Sequence, residues 1–459
     1  MLLIGNLGSK IISFLMVPIY TSILSTAEYG TYDVLVTTES LLVPVISLDI
    51  SESIFRFSMD KEVNQSDVLK TGFRVWWIGV FVVTAATLAL SFFFPAKYCV
   101  FIFLAYLFHS LYSIAINYAR AIEKMNRVAI AGVINTLAFC FFSFLFLVYI
   151  PKGLSGYMMA YVLGYIIPLI YLGIVLIKPS EIAEAIHLSF NKSLCHKMIQ
   201  YSAPLIFAHI GWWIISSSDH YMVAWMRGAA ENGVYSVGYK IPNILVSFMG
   251  VFSQVWIISA VKENDDHFNS NIYNVYRTSI SLVCMILILF SEPIGKILYA
   301  KDFYSAWKVA PWLLIACEFQ GLATFLCGIL TSHKNSKGIT VATLTGAVVN
   351  IVLNAIMIPV YGSIGAAYAT MIAYFIVWLS LVYQSFRLTG SLIVSKEDYI
   401  QYIFLIGAAV YATQTSSVSY ANCGLILVAF TATNWKLILR IFDKVKSVLK
   451  IDSNPQKQI

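Results

Sequence analysis

The chain has 459 residues, of which 59% are apolar and only 12% charged, and its mean hydropathy is +0.78. That balance lies far outside the range of a soluble domain and excludes water as the solvent for most of the folded surface. The formal net charge of +7 sits largely on basic residues near the ends of apolar runs, so it reports orientation in a bilayer and does not point to nucleic acid.

Apolar runs of about 20 residues, long enough to cross a hydrocarbon core of about 30 Å, recur along the chain and predict an all-α polytopic membrane protein. In chain order the spans fall at 2–24, 31–56, 69–94, 99–121, 128–150, 157–177, 198–225, 232–261, 272–299, 307–331, 339–360, 363–386, 399–416 and 422–439. That makes fourteen, or twelve without the last two, which Gln401 and the polar stretch 413–419 dilute. The first run reads as a span and not as a cleaved leader, because Lys10 interrupts it, no basic stretch precedes it and no small-x-small site follows. The predicted organisation is a six-helix bundle over 1–177, a cytoplasmic amphipathic linker over 178–197 carrying Glu181, Glu184, Lys192 and Lys197, a second six-helix bundle over 198–386, and two extra helices with a basic tail over 387–459.

With the N terminus inside, the outer segments hold only Lys97, Lys152, Arg227, Lys296, Lys301 and Lys308. The other basic residues fall inside, Arg277 among them, except Lys10 and Lys240, which lie within spans. Both termini are therefore expected in the cytoplasm, and the cluster from Lys296 to Lys308 is the one outer loop that disagrees. The seven cysteines are scattered singly with no CxxC and no histidine at ligand spacing, so they read as small apolar residues; no metal or cofactor is expected.

The chain repeats itself. Ala27-Glu28-Tyr29-Gly30-Thr31-Tyr32-Asp33-Val34 and Ala230-Glu231-Asn232-Gly233-Val234-Tyr235-Ser236-Val237 agree at five of eight positions, at an offset of 203. A second echo, at an offset of 209, pairs Gly153, Gly156, Ala160 and Tyr165 with Gly362, Gly365, Ala369 and Tyr374. Six spans separate the members of each pair, an even number, so the halves are expected to be parallel repeats.

Polar stripes then mark what hydrocarbon rejects. Asn6, Lys10, Ser13 and Tyr20 share a face of the first span, and Ser236, Lys240, Asn243, Ser247 and Gln254 share a face of the eighth. The repeat offset carries these stripes onto His209, Trp213, Ser216 and Val223 of the seventh span and onto Asp33, Thr37, Ser40, Pro44 and Ser51 of the second, with His220 adding to the seventh; Asp219 beside it is a further candidate contact. Since a mid-membrane charge costs at least about 2.5–3.5 kcal/mol, a central aqueous cavity between the halves is the economical reading, with Lys10 and Lys240 its cationic contacts for an anionic substrate. The competing reading has each lysine snorkel or pair with a buried acid such as Asp33, Glu39 or Asp219. Glu39, Asp49, His109, Arg120 and Glu318 are candidates for carrying a coupling ion, against the alternative of structural pairing; Glu52 and Arg56 stand at helical pairing distance. Pro18, Pro44, Pro204 and Pro242 fall in the same four spans and mark them as candidates for hinges.

Pro18-Ile19-Tyr20-Thr21, Glu28-Tyr29-Gly30, Tyr201-Ser202-Ala203-Pro204, Ser218-Asp219-His220-Tyr221 and Gly233 through Lys240, taken in this order and spacing, resemble the polysaccharide-export branch of the multidrug/oligosaccharidyl-lipid/polysaccharide superfamily, within it O-antigen flippases of the Wzx type. The likeness covers roughly residues 1–386, and the position after Asp219, often arginine in that family, is His220 here. The resemblance implies a V-shaped pair of six-helix bundles in a bacterial inner membrane. It implies a protein that flips an undecaprenyl-diphosphate-linked oligosaccharide by alternating access. A monomer is expected, with polysaccharide polymerase machinery as a candidate partner and a proton or sodium ion as a candidate coupling ion; protons, sodium and membrane potential all stay open as the driving force. The nearest rival is a cation-coupled drug or metabolite antiporter of the same superfamily. A membrane polymerase or ligase is the third reading, and neither a long outer loop nor a catalytic motif supports it.

Overall fold

The computed structural model describes residues 12–60, 62–176, 191–263, 266–333, 335–390, 394, 396–414, 420–433 and 435. Among these residues all regular structure is helical. The helices are α1 (Val17–Ile23), α2 (Thr26–Ile46), α3 (Ile50–Ser58), α4 (Gln65–Leu90), α5 (Ala96–Ala121), α6 (Met125–Phe144), α7 (Gly153–Leu176), α8 (Lys192–Arg227), α9 (Ala229–Gly238) and α10 (Pro242–Glu263). They continue as α11 (Asp266–Leu289), α12 (Ser291–Leu298), a 3-10 segment (Lys301–Lys308), α13 (Ala310–Ser332), α14 (Ser336–Thr389), α15 (Lys396–Gln414) and α16 (Tyr420–Thr433). By length and apolar composition eight of the described helices can cross a membrane, or nine if α2 and α3 form one bent span. The chain is a multi-pass membrane protein.

Two compact units divide it. One comprises Met1–Ser236 with Ala300–Phe303, the other Val237–Tyr299 with Tyr304–Ile459. The packing boundary thus falls inside α9, later in the chain than the linker that the hydropathy pattern suggested. Of that linker, 178–190 lies outside the described residues, and α8 already begins at Lys192.

In the first unit α2 starts on a capping box: the Ser25 hydroxyl accepts from the Glu28 N–H at 3.2 Å, and the Ser25 N–H donates to the Glu28 carboxylate at 2.9 Å. The second span, expected as one helix over 31–56, is instead broken. Pro44 offers no N–H, Leu48 and Asp49 take left-handed φ values of 52° and 48°, and the axes of α2 and α3 differ by 52°. Below the break, Ile50 and Ile54 of α3 pack with Val75 and Trp76 of α4, Tyr106 and Ile114 of α5, and Met198 of α8. An aromatic column runs beside this core, with Tyr20 stacked on Tyr29 at 4.9 Å and Tyr32 against Tyr157 at 4.6 Å.

In the second unit α13 is the central helix, buried along most of its length. Trp256 of α10 stacks on Phe325 of α13 at 3.9 Å and donates its indole N–H to the Phe325 carbonyl at 2.9 Å. The ninth span, expected over 272–299, ends at Leu289; Ser291–Leu298 is a separate short helix. The discordant basic loop is a packed element: Lys296 pairs with Glu292 at 2.8 Å. Phe303, which belongs to the first unit, is buried with its ring edge-on to Tyr29 at 5.9 Å.

Both sequence echoes have a conformational reason. Gly153 and Gly362 hold φ values of +53° and +60°, and Gly362 is where the 54-residue α14 breaks into two helices. The octapeptide echo is a helix crossing. A Cβ on Gly30 would overlap the carbonyl oxygen of Ala229, and a Cβ on Gly233 would overlap that of Thr26, the position 203 residues before Ala229. The two repeats therefore pack on each other glycine to glycine, as small residues let membrane helices do. Gly30→Leu or Gly233→Leu is expected to destabilise the protein by about 2–3 kcal/mol, read as a fall in the midpoint of thermal unfolding in detergent. Gly132→Ala and Gly211→Ala, which meet nothing within 4 Å, should leave it unchanged.

Candidate functional site

The Gly30–Gly233 crossing sets the register of everything around it. One turn on from Gly30, Asp33 faces α8 and α9: its Oδ2 lies 2.7 Å from His220 Nδ1 and accepts from Asn232 Nδ2 at 3.1 Å. Asn232 also donates to the Gly30 carbonyl at 3.0 Å, and the Ser236 hydroxyl lies 3.1 Å from the same His220 nitrogen. Asp33 and Ser236 occupy the same position of the two octapeptides, so the repeat delivers two oxygen groups to one imidazole. Behind them Tyr235 donates to the fully buried Asp219 carboxylate, and its ring meets that of His220 at 5.1 Å.

The seam continues along α2. Trp213 donates its indole N–H to the Thr37 carbonyl at 3.1 Å, and the hydroxyls of Thr38 and Tyr221 hydrogen-bond. Glu39, fully buried, lies 2.7 Å from His109 Nδ1 and accepts from the Tyr161 hydroxyl at 3.1 Å; the His109 ring stacks on Tyr165. At the break, Asp49 and His209 approach to 3.1 Å. Three acids of one bent span thus each oppose a histidine, and such pairs can exchange a proton or reorganise without leaving a bare charge in hydrocarbon.

Tyr20 departs from the expected wetted stripe: it is 3% exposed and packed among Tyr29 and Tyr157, because its ring is one layer of the aromatic column. Ser13, Ser40, His209, Ser216 and Asn243 are exposed, while Thr37, Trp213 and Ser247 are half-buried. Lys240 is half-buried and stands in the turn Tyr239–Ile241 between α9 and α10, immediately before Pro242. Of the four prolines, Pro44 and Pro242 flank helix breaks, whereas α8 runs through Pro204 and Pro18 sits in the first turn of α1. Asn6 and Lys10 lie outside the described residues, and for Gln254 only its helical position in α10 is described. Arg120 reaches Asn117, whose amide donates to Glu52, each at 3.5 Å; among the described residues Glu52 and Arg56 form no ion pair.

A second polar cluster lies within the other unit. Arg277, which the orientation count treated as a loop charge, is fully buried on α11 and ion-paired with the equally buried Asp398 of α15. One turn further, Ser281 donates to the Glu318 carboxylate of α13 and reaches Gln401 of α15 at 3.4 Å. Gln401, which seemed to weaken the thirteenth span, is part of what docks it. Among the described residues no three His, Cys, Asp or Glu side chains converge as metal ligands.

Asn232, Tyr221, Tyr235, Tyr161 and Asp398 are site residues that the stripe reading missed. For Asn232 a signal existed: it stands where the two octapeptides differ, opposite Tyr29, just as Ser236 stands opposite Asp33.

This fold is shared with membrane transporters of the MOP superfamily type. The lipid II flippase MurJ in an inward closed conformation superposes with a TM-score of 0.68 at 16% identity, over 95% of this chain and 99% of that one. An inward-facing multidrug resistance MATE family transporter of the MOP superfamily gives 0.65 at 13% identity, over 85% and 96%. A MOP superfamily transporter from Pyrococcus furiosus, described as having a binding pocket of reverse polarity, gives 0.54 at 12% identity, over 85% and 95%. In sequence, an uncharacterized membrane protein of Methanocaldococcus jannaschii is 23% identical over 291 residues, which is 60% of this chain and 56% of that protein, so the alignment spans little more than half of the relative. Residues 1–258, more than half of the chain, match the family described as Polysaccharide biosynthesis protein, and the chain belongs to that family.

Two outcomes test the clusters. Asp33→Ala and His220→Ala should each cost about 1–3 kcal/mol by stranding the partner, and a double-mutant cycle on thermal unfolding should find the pair strongly coupled. Arg277→Met alone should cost about 3–5 kcal/mol, and adding Asp398→Leu should restore most of it.

Proposed function

We propose that this protein flips an undecaprenyl-diphosphate-linked oligosaccharide, a repeat unit of O-antigen or a similar surface polysaccharide, from the cytoplasmic to the periplasmic leaflet of a bacterial inner membrane. The supporting observation is that the polysaccharide biosynthesis family match, 1–258, covers all the residues of the Asp33–His220 seam, while the whole fold resembles a lipid II flippase. Alternating access fits the breaks at Ser47–Asp49 and Tyr239–Ile241, and MATE transporters of this fold are known in inward-facing and outward-facing conformations. No bond of the substrate is made or broken.

In this reading Lys10 and Lys240 hold the diphosphate through charge-assisted hydrogen bonds. Asn6, Ser13, Thr37, Ser40, Trp213, Ser216, Asn243, Ser247 and Gln254 offer hydroxyl, amide and ring surfaces to sugar. The carboxylate–histidine pairs of α2 are the route for proton coupling. Both termini face the cytoplasm. A second reading, a cation-coupled antiporter for drugs or metabolites, is favoured by the MATE likeness.

In a strain lacking the gene, plasmid-borne Lys10→Ala and Lys240→Ala are each expected to abolish surface polysaccharide on sugar-stained gels while immunoblots show wild-type protein levels. Normal polysaccharide from both variants would remove the charge roles. Normal polysaccharide in the deletion strain itself, together with altered drug susceptibility, would favour the antiporter.

A further inference from the structure

Within the first unit a cavity of about 760 Å³ opens between α4, α5 and α7, away from the seam of α2, α8 and α9. Its size is that of a small-molecule site. The wall has two chemistries. Asn64, Gln65, Ser66 and Lys70 line it where α4 begins, and Phe73, Phe108, Leu111, Ile166 and Leu169 line its depth.

The direction of the groove follows from the connections. The short turn after Leu90 makes α5 antiparallel to α4, and the two short connections around α6 return α7 parallel to α5. The lining therefore runs together from Gln65 to Phe73, from Tyr118 back to Phe108 and from Leu176 back to Ile166. At 1.5 Å per residue these tracks are about 12–15 Å long. That is about half of a hydrocarbon core of 30 Å, the depth of one leaflet.

The polar end is cationic. Lys70 has no carboxylate within ion-pair distance among the described residues, and Asp67, on the same turn of α4, does not line the cavity. From an apolar slot one leaflet deep with three neutral polar side chains at its mouth and a lysine little more than a turn further along the same helix, we infer that the groove holds a bilayer phospholipid with a net-negative headgroup. The acyl chain lies against Phe108, Leu111 and Leu169, and the headgroup phosphate meets Lys70 and the polar side chains beside it. A zwitterionic lipid offers the same chain but surrounds its phosphate with its own cation, so charge is what selects.

The test is native mass spectrometry of the purified full-length protein titrated with palmitoyl-oleoyl phosphatidylglycerol or palmitoyl-oleoyl phosphatidylcholine. Phosphatidylglycerol should bind more tightly to the wild type. Lys70→Ala should weaken it about fivefold, with phosphatidylcholine binding unchanged. Leu111→Trp, which fills the apolar slot, should lower phosphatidylglycerol occupancy, and Lys97→Ala, at the other end of α5, should have no effect. Equal binding of the two lipids to the wild type, or wild-type phosphatidylglycerol affinity in a Lys70→Ala protein whose unfolding midpoint is unchanged, would overturn the assignment. So would displacement of phosphatidylglycerol by substoichiometric undecaprenyl phosphate, which would give the groove to the tail of the transported lipid.

Discussion

Two glycines make the contact on which the site depends. Lipid tails are as apolar as leucine, so membrane helices gain little by hiding apolar side chains from one another, and close backbone approach becomes the means of association. Gly30 admits the carbonyl of Ala229 and Gly233 admits that of Thr26, which brings α2 and α9 closer than any side chain would allow. At that separation the short side chains one turn on, Asp33 and Ser236, both reach His220. Bulk at either glycine would push these groups beyond hydrogen-bond range, and the seam would lose its geometry along with its packing.

The second constraint is electrostatic. Among the described residues, four charges in or beside the apolar helices lie next to a group of opposite sign: Asp33 with His220, Glu39 with His109, Asp49 with His209 and Arg277 with Asp398. The two sets differ in kind. Arginine and aspartate on α11 and α15 form a fully buried pair suited to fixing one helix against another, whereas the histidine pairs involve partly exposed imidazoles beside a broken span. The alternating access we propose would be served by that division, one pair holding a helix in place and the others free to reorganise.

Fold and substrate are separate questions here. The same arrangement of helices is found in a lipid II flippase and in multidrug transporters, so the architecture by itself does not choose a cargo. The family match is to polysaccharide biosynthesis, and the lipid-linked saccharide is the cargo we propose on that basis. The groove of α4, α5 and α7 adds a different relation to lipid, with the bilayer's own molecules as ligands.

Much of this protein was legible in its residues. Hydropathy alone indicated the solvent and the helical class, because a backbone in hydrocarbon must satisfy its own hydrogen bonds and helices do so locally; among the described residues eight or nine helices are long and apolar enough to span, against the fourteen expected. The two echoes located the crossing and the matching left-handed glycines, and carrying the stripes across the repeat offset pointed to Asp33, His209 and Trp213. What periodicity specifies is a face of a helix, never the group opposite it. That His220 meets Asp33 from 187 positions away, that Arg277 is a buried partner of Asp398 and not a loop charge, and that Tyr20 belongs to an aromatic stack were decided only by tertiary packing. So was the break at Leu48 and Asp49, since a left-handed pair inside an apolar span persists only when neighbouring helices hold it. Burial and helicity follow from properties each residue carries by itself; pairing follows from distances that exist only once the chain has folded.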